Sequence, residues 1–243
     1  LCCGLTTRAR RALERFPEWA AASRHVEFFV FPYADQVLLK TLHPAEDDGR
    51  FKAPGPVDET VFRLACELTA AAPGFAPTLQ KLMTRGSGGG RVQRRIGPAW
   101  RISPSDGTVR FEEMEYELPR DAAPAALRAV IDWVRAGERP VAFPFEYRWT
   151  AGDDLWLSPF NRGPCASVSM HQFAPMPWRE LFAEAEAIFR EHDGRPHWGK
   201  RHTLTRADVD ALYPMADRFR AVRAAHDPQG KFLNDHLAPL FGP

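Results

Sequence analysis

The chain has 243 residues, with 32 Lys and Arg against 31 Asp and Glu, a formal charge of +1. That length holds a sizeable core, as one large domain or one and a half smaller ones, and the near-zero balance excludes a broad field for nucleic acid or an acidic membrane. A small polar or neutral ligand fits better.

The start, "LCCGLTTRARRALERF", lacks the charged, apolar and small-residue order of a signal peptide, and no run approaches eighteen apolar residues. It also lacks an initiator methionine, so Leu1 reads as a non-standard start or a cut end with something normally preceding it. Cys2, Cys3, Cys66 and Cys165 form no CxxC pair and no even framework. This argues against structural zinc or a disulfide scaffold and makes a reducing cytosol the default.

"VEFFVFP" (26–32) and "QVLLKTL" (36–42), joined by Pro-Tyr-Ala-Asp, predict a hairpin. Val57 to Ala72 predicts a helix, with Val61, Leu64, Ala65 and Leu68 at three-and-four spacing and a Pro-Gly stop. Residues 84–108 concentrate glycine and arginine and predict a flexible loop or linker. A phosphate loop is a poor reading there, because no Gly-Lys-Ser/Thr follows the glycines.

Beyond it, "VRFEEMEYELP" predicts a strand, "AAPAALRAVIDWVRAG" a helix, and "VAFPFEYRWT", "DLWLSPF" and "CASVSMHQF" three strands. "WRELFAEAEAIFREHDG" follows as a helix with Trp178, Leu181, Phe182, Ala185, Ile188 and Phe189 on one face. A final helix is predicted from an N-cap at Thr205 to Asp227-Pro228. Strands next to strands with helices between point to an α+β fold, a sheet with helices on one face.

Side chains alternate along a strand, so Phe143, Phe145, Tyr147 and Trp149 share one face and Glu146 and Arg148 the other. Ser167, Ser169 and His171 likewise share a face of "CASVSMHQF". Glu146 with Arg148 reads either as an ordinary solvated ion pair or as part of a rigid polar site anchored from behind. His171 reads equally as a satisfied rim residue. In "GRPHWGKRH", His192, His197 and His202 are five apart, which fits no usual metal-ligand spacing. Gly199 permits close approach and Lys200 follows it, either at a functional site or in a plain connection plugged by Trp198.

"VEFFVFPYAD" (26–35), "EMEYELP" (113–119), "FEYRWTAGDDLWLSPF" (145–160), "PHWGK" (196–200) and "DPQGKFLND" (227–235) stand in the order in which similar motifs occur in a known family. Over nearly its whole length the chain resembles the C-terminal region of the D-arabinono-1,4-lactone and L-gulonolactone oxidases and their alditol-oxidising relatives, within the vanillyl-alcohol-oxidase class. The glycines at 86–90 look like an insertion.

The resemblance implies a mainly antiparallel cap, or substrate, domain over 1–195 and a C-terminal segment over 196–243 that packs on a flavin-binding domain not contained in this chain. It implies FAD, bound mainly by that missing domain, and an aldonolactone or alditol as substrate. The activity implied is oxidation at a CH–OH carbon, with an incomplete chain inactive alone. It implies Glu146, Arg148 and Lys200 as catalytic residues, His171, Ser169 and His197 as substrate-binding residues, and Lys200 and Asn234 toward the cofactor, with no metal. Membrane association is compatible with the resemblance but not indicated by the residues. The alternative reading is a non-catalytic fragment that keeps the cap fold and binds a sugar or a partner.

Overall fold

The computed structural model describes residues 2–34, 36–46, 56–86, 93–102 and 107–242. Eight strands form one sheet in the order β4-β1-β3-β2-β6-β7-β5-β8. They are β1 (Cys2–Arg8), β2 (His25–Val30), β3 (Gln36–Leu42), β4 (Gln93–Arg94), β5 (Phe111–Pro119), β6 (Phe145–Thr150), β7 (Cys165–Phe173) and β8 (Arg195–Pro196). Every hydrogen-bonded pair runs antiparallel. The α+β expectation of an antiparallel sheet backed by helices therefore describes the molecule.

One face of the sheet is apolar. Phe28, Met114, Tyr116, Leu118, Phe145, Tyr147, Val168 and Met170 all point into the main core. Three amphipathic helices cover this face: α1 (Ala9–Ala22) through Ala12 and Phe16, α5 (Ala123–Ala136) through Leu127, Val130 and Val134, and α6 (Arg179–Glu191) through Phe182, Ala185 and Phe189. The Phe16 ring meets Tyr147 edge-on at 5.0 Å and Phe28 at 5.7 Å, so α1 locks β2 to β6 from behind.

Two other helices, α2 (Pro56–Ala71) and α3 (Ala76–Gly86), follow β3. From α2, Phe62 and Cys66 pack with Val109, Ala142, Phe143, Phe173 and Met176 in a second, smaller cluster. Part of the expected 84–108 loop is regular: α3 runs into it, β4 pairs with β1, and α4 (Ala99–Ile102) makes a turn. Residues 87–92 and 103–106, with most of the glycine cluster, lie outside the described residues.

Two further expectations are corrected. "DLWLSPF" is not a strand but a turn-rich loop, because its polar groups satisfy the backbone locally. Asp153 accepts from Leu155 N at 3.0 Å and from Ser158 Oγ at 2.6 Å, while Asn161 Nδ2 donates to Leu155 O at 3.2 Å. Gly152 and Gly163 close the loop back to back: a Cβ on Gly152 would lie 2.6 Å from the Gly163 carbonyl carbon, and Gly163 has φ +115.

The predicted last helix is two, α7 (Arg206–Leu212) and α8 (Ala216–His226). Pro214 has no N–H to continue the ladder and pushes Tyr213 into extended backbone, φ −122 and ψ 95. The predicted start holds, with Thr205 and Asp208 forming a reciprocal capping box.

The opening stretch, left without structure above, forms β1 and α1. A short helix, α9 (Ala238–Phe241), ends the chain. Leu204, Val209, Tyr213, Ala216, Leu240 and Phe241 make a third cluster, against which Trp198 packs. The 195/196 division expected from the resemblance falls inside β8, which pairs with β5. Among the described residues no helix is long and apolar enough to cross a membrane.

Candidate active site

The face of the sheet opposite the core is a grid of charges set by strand register. One row runs Lys40, Glu27, Arg148, Ser167, Glu117, and the next Phe29, Glu146, Ser169, Glu115. A third pairs His171 with Glu113. Alternation explains it: the core-facing partners of Glu146 and Arg148 are Phe145, Tyr147 and Trp149, anchored behind the sheet.

The "PHWGK" turn is strapped onto this grid by the backbone. His197 N donates to Glu115 O at 2.9 Å, Lys200 N to His197 O at 3.0 Å, and Arg201 N to Glu113 O at 2.9 Å. Trp198 seals the underside, its Nε1 donating to Leu157 O at 2.7 Å and its ring 5.0 Å from Tyr213. The Lys200 amine is thereby brought over β5, where it pairs with Glu113.

Arg148 bridges two acids, with Nη2 at 2.5 Å from Glu115 and Nη1 at 2.6 Å from Glu146. Glu113 accepts from Lys200 on one oxygen and lies 3.2 Å from His171 Nε2 on the other. On the far side Lys40 pairs with Glu27 at 2.5 Å. Neither Arg148 nor Lys200 is an isolated positive charge. Each is matched by carboxylate.

Burial drives the titration of this grid. It pushes the Glu146 carboxyl up, to about 7, helped by the neighbouring Glu27 and only partly opposed by Arg148. Burial also pushes Glu117 up, reinforced by Glu115 beside it. For Glu113 the burial effect is outweighed by His171 and Lys200, which hold it down at about 2. For Glu115 it is outweighed mainly by Arg148.

Above the grid lies a cavity of about 510 Å³. Its floor is Glu27, Lys40, Glu113, Glu115, Glu146, Arg148 and His171, with His197 and Lys200 at one side. Its other wall is aromatic: Phe29, Phe62, Phe111 and Phe143. Such a lining offers donors and acceptors to a polyhydroxylated molecule and ring faces to its carbon side or to a planar group.

Of the residues singled out in the sequence, Glu146, Arg148, Lys200, His171 and His197 are thus brought to one cavity. Ser169 lies under the floor, buried, its hydroxyl donating to Glu115 at 2.9 Å. Asn234 lies elsewhere, accepting from His236 N and Leu237 N ahead of α9. Sequence reasoning missed Glu27, Lys40, Glu113, Glu115 and Glu117. The alternation in "EEMEYELP" puts Glu113, Glu115 and Glu117 on one face and is the signal that finds those three. Among the described residues no group of three His, Cys, Asp or Glu is placed to hold a metal ion.

The D-arabinono-1,4-lactone oxidase family model matches residues 5–240. The chain belongs to that family. Among relatives, it is 40% identical over 241 residues to the L-gulono-1,4-lactone dehydrogenase of Mycobacterium tuberculosis, covering 96% of this chain and 55% of that protein. It is 26% identical over 234 residues to the L-gulonolactone oxidase of Scyliorhinus torazame, covering 90% and 52%. An alditol oxidase of a Streptomyces species matches at 38% over 145 residues, 57% of this chain and 33% of that one. This D-arabinono-1,4-lactone oxidase family member spans about half the length of the first two relatives. In fold it is similar to the cholesterol oxidase of Brevibacterium sterolicum, with a TM-score of 0.66 at 16% identity over 99% of this chain and 59% of that one.

Proposed function

We propose that the chain is the substrate-binding part of an FAD-dependent oxidoreductase that removes hydride from a hydroxyl-bearing carbon of an aldonolactone or related polyol. The observation that carries this reading is the convergence of Glu146 and Arg148 from β6 and Lys200 from the 197–200 turn on one cavity. Relatives nearly twice as long support a flavin held mainly by a part of the protein outside this chain. An aromatic wall beside a floor rich in donors and acceptors supports a lining for a polyhydroxylated substrate next to a planar group. Lys200 and His197, at the side of the cavity, would face the ring.

Bound FAD supplies the hydride acceptor. The chain's own residues do the rest. Glu146, with its carboxyl raised to about 7, takes the hydroxyl proton as hydride leaves carbon. Arg148, fixed by Glu115 and Glu146 together, steadies the oxygen as negative charge grows on it, and Lys200, fixed by Glu113, donates to a neighbouring oxygen. His171 and Glu113 orient further hydroxyls. The aromatic wall excludes water.

The test joins this chain to its flavin-binding remainder and measures turnover of several aldonolactones. Lys200→Ala and Glu146→Gln lower kcat about 10²-fold or more with flavin still bound. Near-native rates in both reject the site. A complete protein that binds lactones without bleaching its flavin favours the second reading, a sugar-binding module.

A further inference from the structure

A second cavity, of about 670 Å³, lies at the end of β2, β3 and β6 beside the end of α1. It shares three lining residues with the first: Glu27, Lys40 and Arg148. Glu146 lines only the first. Between the two stands Glu27, diagonal to Glu146 on the same face of the β2–β6 pair, with Lys40 as its ion partner at 2.5 Å.

Resting on the reading of Glu146 given above, we propose that Glu27 is the group through which the proton taken by Glu146 leaves the substrate cavity for water in the second cavity. The balance is simple. The substrate O–H bond breaks and its proton joins Glu146, while the hydride leaves carbon for the flavin. Glu146 then passes the proton to Glu27 and returns to carboxylate, and Glu27 releases it to water.

The other carboxylates lead nowhere useful. Glu115 is held by Arg148 and by Ser169 at 2.9 Å, and behind it Glu117 is 1% exposed and lines neither cavity. A proton sent that way has no outlet. Glu113 is paired with Lys200 and His171 and does not line the second cavity. Glu27 instead faces Lys40 from β3 and Glu146 and Arg148 from β6, with Arg24, His25 and Arg120 around the second cavity. Of these carboxylates, Glu27 alone lines both cavities.

The experiment uses the complete flavin-loaded protein, mixed with an aldonolactone without oxygen, following flavin bleaching and, with an indicator dye, proton release. In the native protein the two keep pace. In Glu27→Gln, release lags bleaching about tenfold or more, and a small diffusible base such as imidazole restores it. Release in step with bleaching, or a lag that imidazole leaves unchanged, overturns the proposal. Glu146→Gln slows bleaching itself, so native bleaching in that variant rejects the reading of the site separately from the exit route. A second readout needs no turnover: the infrared band of protonated carboxyl near neutral pH weakens in both Glu27→Gln and Glu146→Gln, and a band indifferent to Glu27→Gln counts against the shared proton. Should Glu27→Gln fail to fold, Lys40→Met, which removes the partner of the Glu27 anion, slows release in the same assay. A native rate there overturns the proposal equally.

Discussion

Lys200 donates to Glu113 across 87 positions of sequence, joining the 197–200 turn to the middle of β5. The amine is therefore aimed by a sheet strand rather than by its own loop. Glu113→Gln keeps the shape but loosens the aim. It is expected to lower kcat about tenfold with flavin retained, less than Lys200→Ala, and steady-state kinetics of the two variants in the complete protein check the order.

Glu146 accepts a proton only when ionised. With its carboxyl raised to about 7, kcat falls about tenfold per pH unit as pH drops below that point. The same shift acts on the fold in the opposite sense: the stabilising effect of the neutral form is complete below the ordinary carboxylate range and is lost as pH rises through about 7. A pH–rate profile that lacks this limb in Glu146→Gln verifies the assignment.

Removing Arg148 strands two acids. Arg148→Met leaves Glu115, 2% exposed, and Glu146 without their shared cation. The expected cost is about 2 kcal/mol, held below that of a fully buried pair by the partial exposure of the guanidinium. Urea denaturation measures it.

Glu117 shifts in the same direction as Glu146. Burial and the neighbouring Glu115 favour its neutral form, so charging it weakens the fold as pH rises from the ordinary carboxylate range through and above neutrality. Glu117→Gln keeps the hydrogen-bonding shape without the charge. Its melting temperature should match the native value at pH 5 and exceed it at pH 9.

Thr205 closes the capping box of α7. Thr205→Ala is expected to cost about 1 kcal/mol, read by thermal denaturation, with little change at the cavity.

The sheet was legible where hydrophobic alternation is strong. The hairpin of β2 and β3, and strands β5, β6 and β7, show period two, because one face of each is buried under α1, α5 or α6. β1 went unread because Thr6, Thr7 and Arg8 mask its pattern and its partners, β3 and β4, are distant in sequence. The loop at 154–160 misled for the opposite reason: Leu155, 65% exposed, and Trp156, 39% exposed, look like core but sit in turns held by Asp153 and Asn161. Within the site, Glu146, Arg148 and Lys200 stood out by motif. The matching acids on β5 and β2 did not, because what they neutralise is decided by strand register and not by spacing along the chain.

The two-sidedness of β6 limits how this family can drift. Its odd residues key into Phe16 and the core while its even residues build the cavity floor, so a single-residue insertion or deletion within 145–150 would exchange the two sets wholesale. Length variation among descendants should therefore accumulate in the connections, such as 151–164, while new substrate preferences arise by exchanging even-numbered side chains in place.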